Sequence, residues 1–145
     1  MEVNEKYMRE ALREALLAAD KDEAPVGAVV VHGNRIIARA HNLVEALCDA
    51  TAHAEMQAIT AAANFIGGKY LTDCTLYVTV EPCPMCAGAC YWAQVGQLVY
   101  GAADPKRGYS LLQQNLLHPK AKVVQGLLAD ECGRLLSDFF KKKRR

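Results

Sequence analysis

No stretch of this sequence approaches the 18 or more consecutive apolar residues of a membrane-spanning helix, which excludes a helical membrane protein. The opening residues, Met1-Glu2-Val3-Asn4-Glu5, lack the basic start and apolar run of a secretory signal, so export is not expected. Internal repeats, low-complexity runs and Pro/Gly/Ser-rich linkers are missing as well. The expectation is therefore one domain over residues 1–145. A chain of that length buries roughly 68–70% of its unfolded surface, enough for a core without staples. With 52% hydrophobic and 23% charged residues, the composition also excludes a disordered chain or a coiled coil.

Net charge is nearly absent too, at +1, but the value conceals an asymmetry. Residues 141–145 are all basic; without them 12 basic residues face 16 acidic ones, a net of −4. One reading is a solvated helix end whose cations complement the macrodipole. The other is a patch that attracts phosphate.

Six cysteines stand at positions 48, 74, 83, 86, 90 and 132. In the absence of an export signal a reducing compartment, the cytoplasm, is expected, and clustered cysteines read as metal or redox chemistry. Cys83 and Cys86 form the cluster; the other four are expected to be small core hydrophobes.

Along the chain, Met8, Ala11, Leu12, Ala15, Leu16 and Ala19 keep the spacing of an amphipathic helix. Pro25 marks a boundary, and residues 27–31 read as a buried strand. His32-Gly33-Asn34 is turn chemistry leading to a second strand through Ile36 and Ile37. Residues 42–50 read as a loop. Thr51 is placed to cap a helix that Gly67-Gly68 stops near Ile66. Residues 74–80 are β-rich, and Pro84 suits the first turn of a helix running to about Gln94. A short strand follows at Leu98-Val99-Tyr100, then a polar loop over 104–108, a short helical piece, and a strand near Val123-Val124. The last helix carries Leu128, Cys132, Leu135, Leu136 and Phe139 on one stripe. Tyr91 and Trp92 pack either in the core or across subunits. Alternation of helices and strands in the middle of the chain predicts an α/β sandwich with some parallel strands.

Two stretches carry chemistry: Thr51-Ala52-His53-Ala54-Glu55 and Glu81-Pro82-Cys83-Pro84-Met85-Cys86. Each opens a predicted helix, at the edge of an α/β sheet where ligands bind. His53 offers one nitrogen, and Cys83 and Cys86 offer two thiolates within one helical turn. That borderline-soft set favours zinc, and three protein ligands leave the fourth position to water, the pattern of a catalytic site. The helix N-terminus favours the ionised thiols. Glu55 is then the natural proton shuttle, provided the helix begins close to His53. Alternatives are a thioredoxin-like redox pair, a core histidine, or a structural zinc with Cys90 as fourth ligand.

His53-x-Glu55 followed by Pro82-Cys83-x-x-Cys86 matches the zinc deaminase signature. Over nearly its whole length the chain resembles the bacterial tRNA-specific adenosine deaminases. The resemblance runs through Pro25-Val26-Gly27-Ala28-Val29, the two chemical stretches, Gly101-Ala102-x-Asp104, and Leu136-Ser137-Asp138-Phe139-Phe140 with its basic tail. It implies a three-layer α/β/α sandwich around a five-stranded mixed sheet, the cytidine-deaminase-like fold. It further implies one zinc ion per subunit, a homodimer, and hydrolytic conversion of adenosine to inosine at the wobble position of the tRNA anticodon loop. By the same resemblance Asn42 hydrogen-bonds the target base, Pro25 and Val26 line the pocket, and Asp104, Lys106 and Phe140 approach the RNA. Each has a plainer reading: Asn42 as a loop cap, Asp104 and Lys106 as solvated charges, Phe140 as core.

Two departures from the family fall near the substrate. His41 precedes Asn42 where the family often has Trp, and Tyr109-Ser110-Leu111-Leu112 replaces a run of small residues. Tyr109 either stacks on a splayed base or packs inside. Two other functions stay open. One is a deaminase of free guanine, cytosine or cytidine compounds, using the same zinc and Glu55. The other is a non-catalytic, zinc-stabilised RNA-binding module, against which Glu55 counts.

Overall fold

The computed structural model describes residues 1–143. In chain order these form α1 (Glu5–Asp20), β1 (Gly27–His32), β2 (Arg35–His41), α2 (Val44–Leu47) and α3 (Ala54–Ile66). β3 (Cys74–Val80), α4 (Pro84–Ala93) and β4 (Gln97–Ala102) follow, then a 3-10 turn at Tyr109–Leu111, β5 (Lys122–Gln125) and α5 (Ala129–Lys143). The strands make one sheet in the order β2-β1-β3-β4-β5. β1 is antiparallel to β2 and β3, whereas β3, β4 and β5 run parallel.

Position in the sheet follows from composition. All seven residues of β3 are buried, as expected for a continuous apolar and β-branched run covered on both faces. β2 and β5 are edges, with several exposed positions. Alternate residues of β1 feed two cores. Ala28 and Val30 pack with Ala54, Ala58 and Ala62 of α3 and with Ala87 and Cys90 of α4. Val29 and Val31 pack with Tyr7, Met8 and Ala11 of α1 and with Cys132 of α5. Those two cores separate three layers, the α/β/α sandwich expected from the sequence. No helix among the described residues is long and apolar enough to cross a membrane.

The hairpin between β1 and β2 closes through Gly33 and Asn34, both at positive φ, the geometry that Gly and Asn supply at little cost. α1 lies unusually close to β1. A Cβ built on Gly27 would meet the Ala11 carbonyl at 2.0 Å, so the contact depends on glycine facing alanines. That approach sets the rotation of α1, whose buried residues are Tyr7, Met8, Ala11, Ala15 and Ala18. Leu16, expected on the apolar stripe, is turned out and 51% exposed.

Three further local expectations are corrected. The loop over 42–50 contains the single turn α2. Thr51 does not cap α3: its hydroxyl donates to Asp49 Oδ1, and His53 takes the N-cap position without a side-chain capping bond. Cys48 is exposed, at the left-handed position (φ 49°) that closes α2; Cys74, Cys90 and Cys132 are buried as expected.

What the topology does for function is to collect one edge. β3 and β4 are parallel, so their C-terminal ends, Glu81 and Ala102, emerge side by side, with Glu81 N–H donating to the Ala102 carbonyl at 2.8 Å. β1 is antiparallel, so its start, after Pro25 and Val26, lies at that same edge. So does the end of β2, because His41 pairs with Gly27. Gln57 Nε2 donates to the carbonyls of His41 and Ala52, which brings the start of α3 there as well.

Candidate active site

At that edge the two chemical stretches converge. His53 Nδ1 lies 3.5 Å from Cys86 Sγ and 3.7 Å from Cys83 Sγ, and the three donor atoms all lie within 4.8 Å of one another. Local chemistry explains the arrangement. Pro84 begins α4 at a position that needs no N–H, which leaves Cys83 at the N-cap and Cys86 one turn on. His53, also at an N-cap, turns its imidazole to the sulfurs and not to its own helix.

The donor set fits a zinc ion. Tetrahedral zinc bonds of ~2.3 Å to sulfur and ~2.0 Å to nitrogen place N and S about 3.5 Å apart, the separation found here. One of the two sulfurs, that of Cys83, is already biased towards ionisation. The Cys83 thiol is held down to about 4, chiefly by its hydrogen bond with Cys86, and the same bond pushes Cys86 up. The pair therefore holds one thiolate and one thiol, whose proton a divalent cation would displace. His53 is raised, first by its hydrogen bond with Cys83. Cys90 is buried in the core of α3, α4 and the sheet and does not join this group, which removes it as a fourth donor.

Glu55 sits in the first turn of α3, 4% exposed. Burial pushes its carboxyl up to about 7. A buried carboxyl poised near neutrality, one turn or less from a metal-binding group, has the properties of a general acid–base.

The residues assigned by resemblance are placed as follows. Asn42 is buried, its backbone N–H on the Val26 carbonyl and its Nδ2 3.5 Å from Glu23 Oε1. Pro25 is fully buried and Val26 half-buried beside it. Asp104 accepts from the backbone N–H groups of Lys106 and Arg107, both at 3.0 Å, so it shapes its own loop and leaves those two cations exposed. Phe140 is 45% exposed, against the core reading. Tyr109 packs inside: it is 8% exposed, edge-on to Tyr100 at 6.4 Å between ring centroids. Lys141, Lys142 and Lys143 form the last turn of α5, and Lys143 Nζ reaches Asp22 Oδ2 at 2.5 Å; Arg144 and Arg145 lie outside the described residues.

Two glutamates that received no role from the sequence organise this edge. Glu23, 1% exposed, accepts from the N–H groups of Glu45 at 3.0 Å and Ala46 at 2.7 Å, which fixes α2. Glu81, 4% exposed, accepts from the N–H groups of Asp104 and Ser110 and from the Ser110 hydroxyl. For Glu81 the available signal was an acidic residue between the β-rich run that ends at Val80 and Pro82, both of which bury; the sequence around Glu23 carries no such mark.

Comparison with known proteins agrees with this geometry. The family model of the MafB19-like deaminases matches residues 2–144. The tRNA-specific adenosine deaminase of Bacillus subtilis is 49% identical over 150 residues, spanning 100% of this chain and 93% of the relative. A structure from studies of A-to-I editing by tRNA:A34 deaminases matches with a TM-score of 0.86 at 40% identity, over 92% of this chain and 100% of that one. A guanine deaminase from Nitrosomonas europaea matches with a TM-score of 0.80 at 25% identity, over 96% of this chain and 85% of that one.

Proposed function

We infer the reaction from the family: the chain belongs to the tRNA-specific adenosine deaminases, among the MafB19-like deaminases, and hydrolyses adenosine to inosine at the wobble position of tRNA. The observation that carries the reading down to individual residues is the buried Glu55 beside the His53, Cys83 and Cys86 donors. We read residues 1–145 as one deaminase domain, acting in the cytoplasm.

His53, Cys83 and Cys86 would hold the zinc ion. When bound, zinc supplies the Lewis acidity that makes water a nucleophile near neutral pH. Glu55 carries the protons: its carboxylate takes one from the attacking water and delivers it to N1 of adenine, then takes the second from the hydroxyl newly bonded to C6 and passes it to the amine, which departs as ammonia. Attack at C6 requires an unstacked base, which an anticodon loop offers and a duplex does not. Asn42 holds the base by its amide, with Pro25 and Val26 forming the wall beneath it. Asp104 folds the loop from which Lys106 meets phosphate, and Phe140 offers an exposed aromatic face.

Of the two readings of the basic tail, topology favours the phosphate patch. Lys143 is tied to Asp22, next to Glu23, so the end of α5 reaches the segment that leads into Pro25 and Val26. Deleting residues 141–145 is expected to weaken binding of an anticodon stem-loop and to flatten its dependence on salt. Unchanged affinity would remove the tail from the interface.

A homodimer is the corresponding assembly. Trp92 is 78% exposed on α4, beside Tyr91 and two turns from Met85, an apolar patch that a second copy of the chain would cover. Trp92→Glu is expected to shift the protein from dimer to monomer in sedimentation equilibrium; a monomeric parent would refute the assembly.

The test of the reaction is incubation of zinc-loaded protein with an anticodon stem-loop bearing a wobble adenosine, and separately with free guanine, cytosine, adenosine and cytidine. Inosine confined to the wobble position is expected by mass spectrometry. Turnover of a free base with untouched RNA would overturn the substrate.

A further inference from the structure

Glu81 is a buried carboxylate at the site edge that accepts three hydrogen bonds, and the reaction as described does not use it. Its side chain accepts from Asp104 N–H at 3.1 Å, Ser110 N–H at 3.0 Å and the Ser110 hydroxyl at 2.5 Å. Both ends of the 104–110 loop therefore close on one buried group. The adjacent backbone adds two further ties: Glu81 N–H to the Ala102 carbonyl, and Tyr109 N–H to the Pro82 carbonyl at 2.9 Å. Gly108 completes the fit, because a Cβ there would lie 2.3 Å from the Glu81 carboxyl. Two residues beyond Glu81 stands Cys83, and in the middle of the loop stand the exposed Lys106 and Arg107.

We propose that Glu81 is a positioning residue for RNA, fixing the 104–110 loop against the Cys83 segment so that Lys106 and Arg107 are held in register with the pocket. The physical basis is preorganisation. Hydrogen bonds to a buried carboxylate are charge-assisted, and a loop ordered before binding does not lose that freedom when the RNA arrives. An isosteric amide at this position turns a donor towards donors and breaks at least one of the three bonds. This inference rests on the RNA reading of the same site.

The experiment uses zinc-loaded protein. Glu81→Gln is expected to raise KM for the anticodon stem-loop about tenfold, with a smaller change in kcat and one zinc per chain retained. Amide exchange at Asp104 and Ser110 should quicken in the same variant. Ser110→Ala, at an exposed position, should give a smaller KM rise and add little in the Glu81→Gln background, because both act on one contact. If Glu81→Gln fails to fold, Ser110→Ala alone must show the faster exchange and higher KM. Faster exchange with unchanged KM would make Glu81 merely structural and overturn the proposal. A fall in kcat with zinc loss at constant KM would assign Glu81 to the metal segment, which overturns the proposal equally. If the parent protein forms no inosine in the RNA, the substrate reading fails, whereas the exchange data still report whether Glu81 holds the loop.

Discussion

Replacing Glu55 with alanine is expected to leave one zinc per chain in place while turnover falls by at least ~10²–10⁴-fold, the usual worth of a positioned acid–base. The separation of the two effects follows from geometry. The donor atoms that approach one another belong to His53, Cys83 and Cys86; Glu55 stands outside that set. Its environment also matters. Burial raises its carboxyl to about 7, where the group can both accept and return a proton near neutrality. Glu55→Gln should match the alanine variant in rate, since it keeps the shape and loses the proton. Activity within tenfold of the parent in either variant would remove Glu55 from the chemistry, and loss of zinc would reassign it as a ligand.

His53→Ala is expected to have the opposite signature: zinc well below one per chain by elemental analysis, with activity lost at least as completely as in Glu55→Ala. His53 is the sole nitrogen among the clustered donors, and its Nδ1 faces both sulfurs. Without it, two cysteines in one turn of α4 remain, a set too small to close round the ion while leaving one open position. The fold should survive, because His53 caps nothing and the Ala54, Ala58 and Ala62 face of α3 is unaffected. Stoichiometric zinc in this variant would contradict the ligand assignment.

How far the sequence anticipated these features depends on the range of the interactions behind them. Local chemistry was legible. The β-branched run of β3, the Gly33-Asn34 turn, the helix start at Pro84 and the stop at Gly67 each follow from neighbouring residues alone. The His53, Cys83 and Cys86 cluster was legible for another reason, since few chemistries need one nitrogen and two sulfurs at helix starts. Competition between local options was not legible. Thr51 is a good cap in principle, but Asp49 takes its hydroxyl, and His53 is drawn to the cap position by partners 30 and 33 residues away. Leu16 belongs to a plausible stripe, yet the close contact of α1 with Gly27 rotates it outwards. Glu23 and Glu81 find these partners 22 to 29 residues along the chain, after a β-hairpin has intervened in one case and a helix and a strand in the other. A charged side chain carries no mark of such burial until the sheet brings the partners together. Tyr109 shows the same limit: its ring suits either a base or a core, and only the fold places it against Tyr100.

Zinc K-edge X-ray absorption of the purified protein distinguishes a zinc centre built from three side chains with one position left open from a closed one. Two sulfurs at ~2.3 Å with two nitrogen or oxygen neighbours at ~2.0 Å are expected. A shell of three sulfurs, with Cys90 drawn in, would mean a closed structural site and contradict the open three-residue centre.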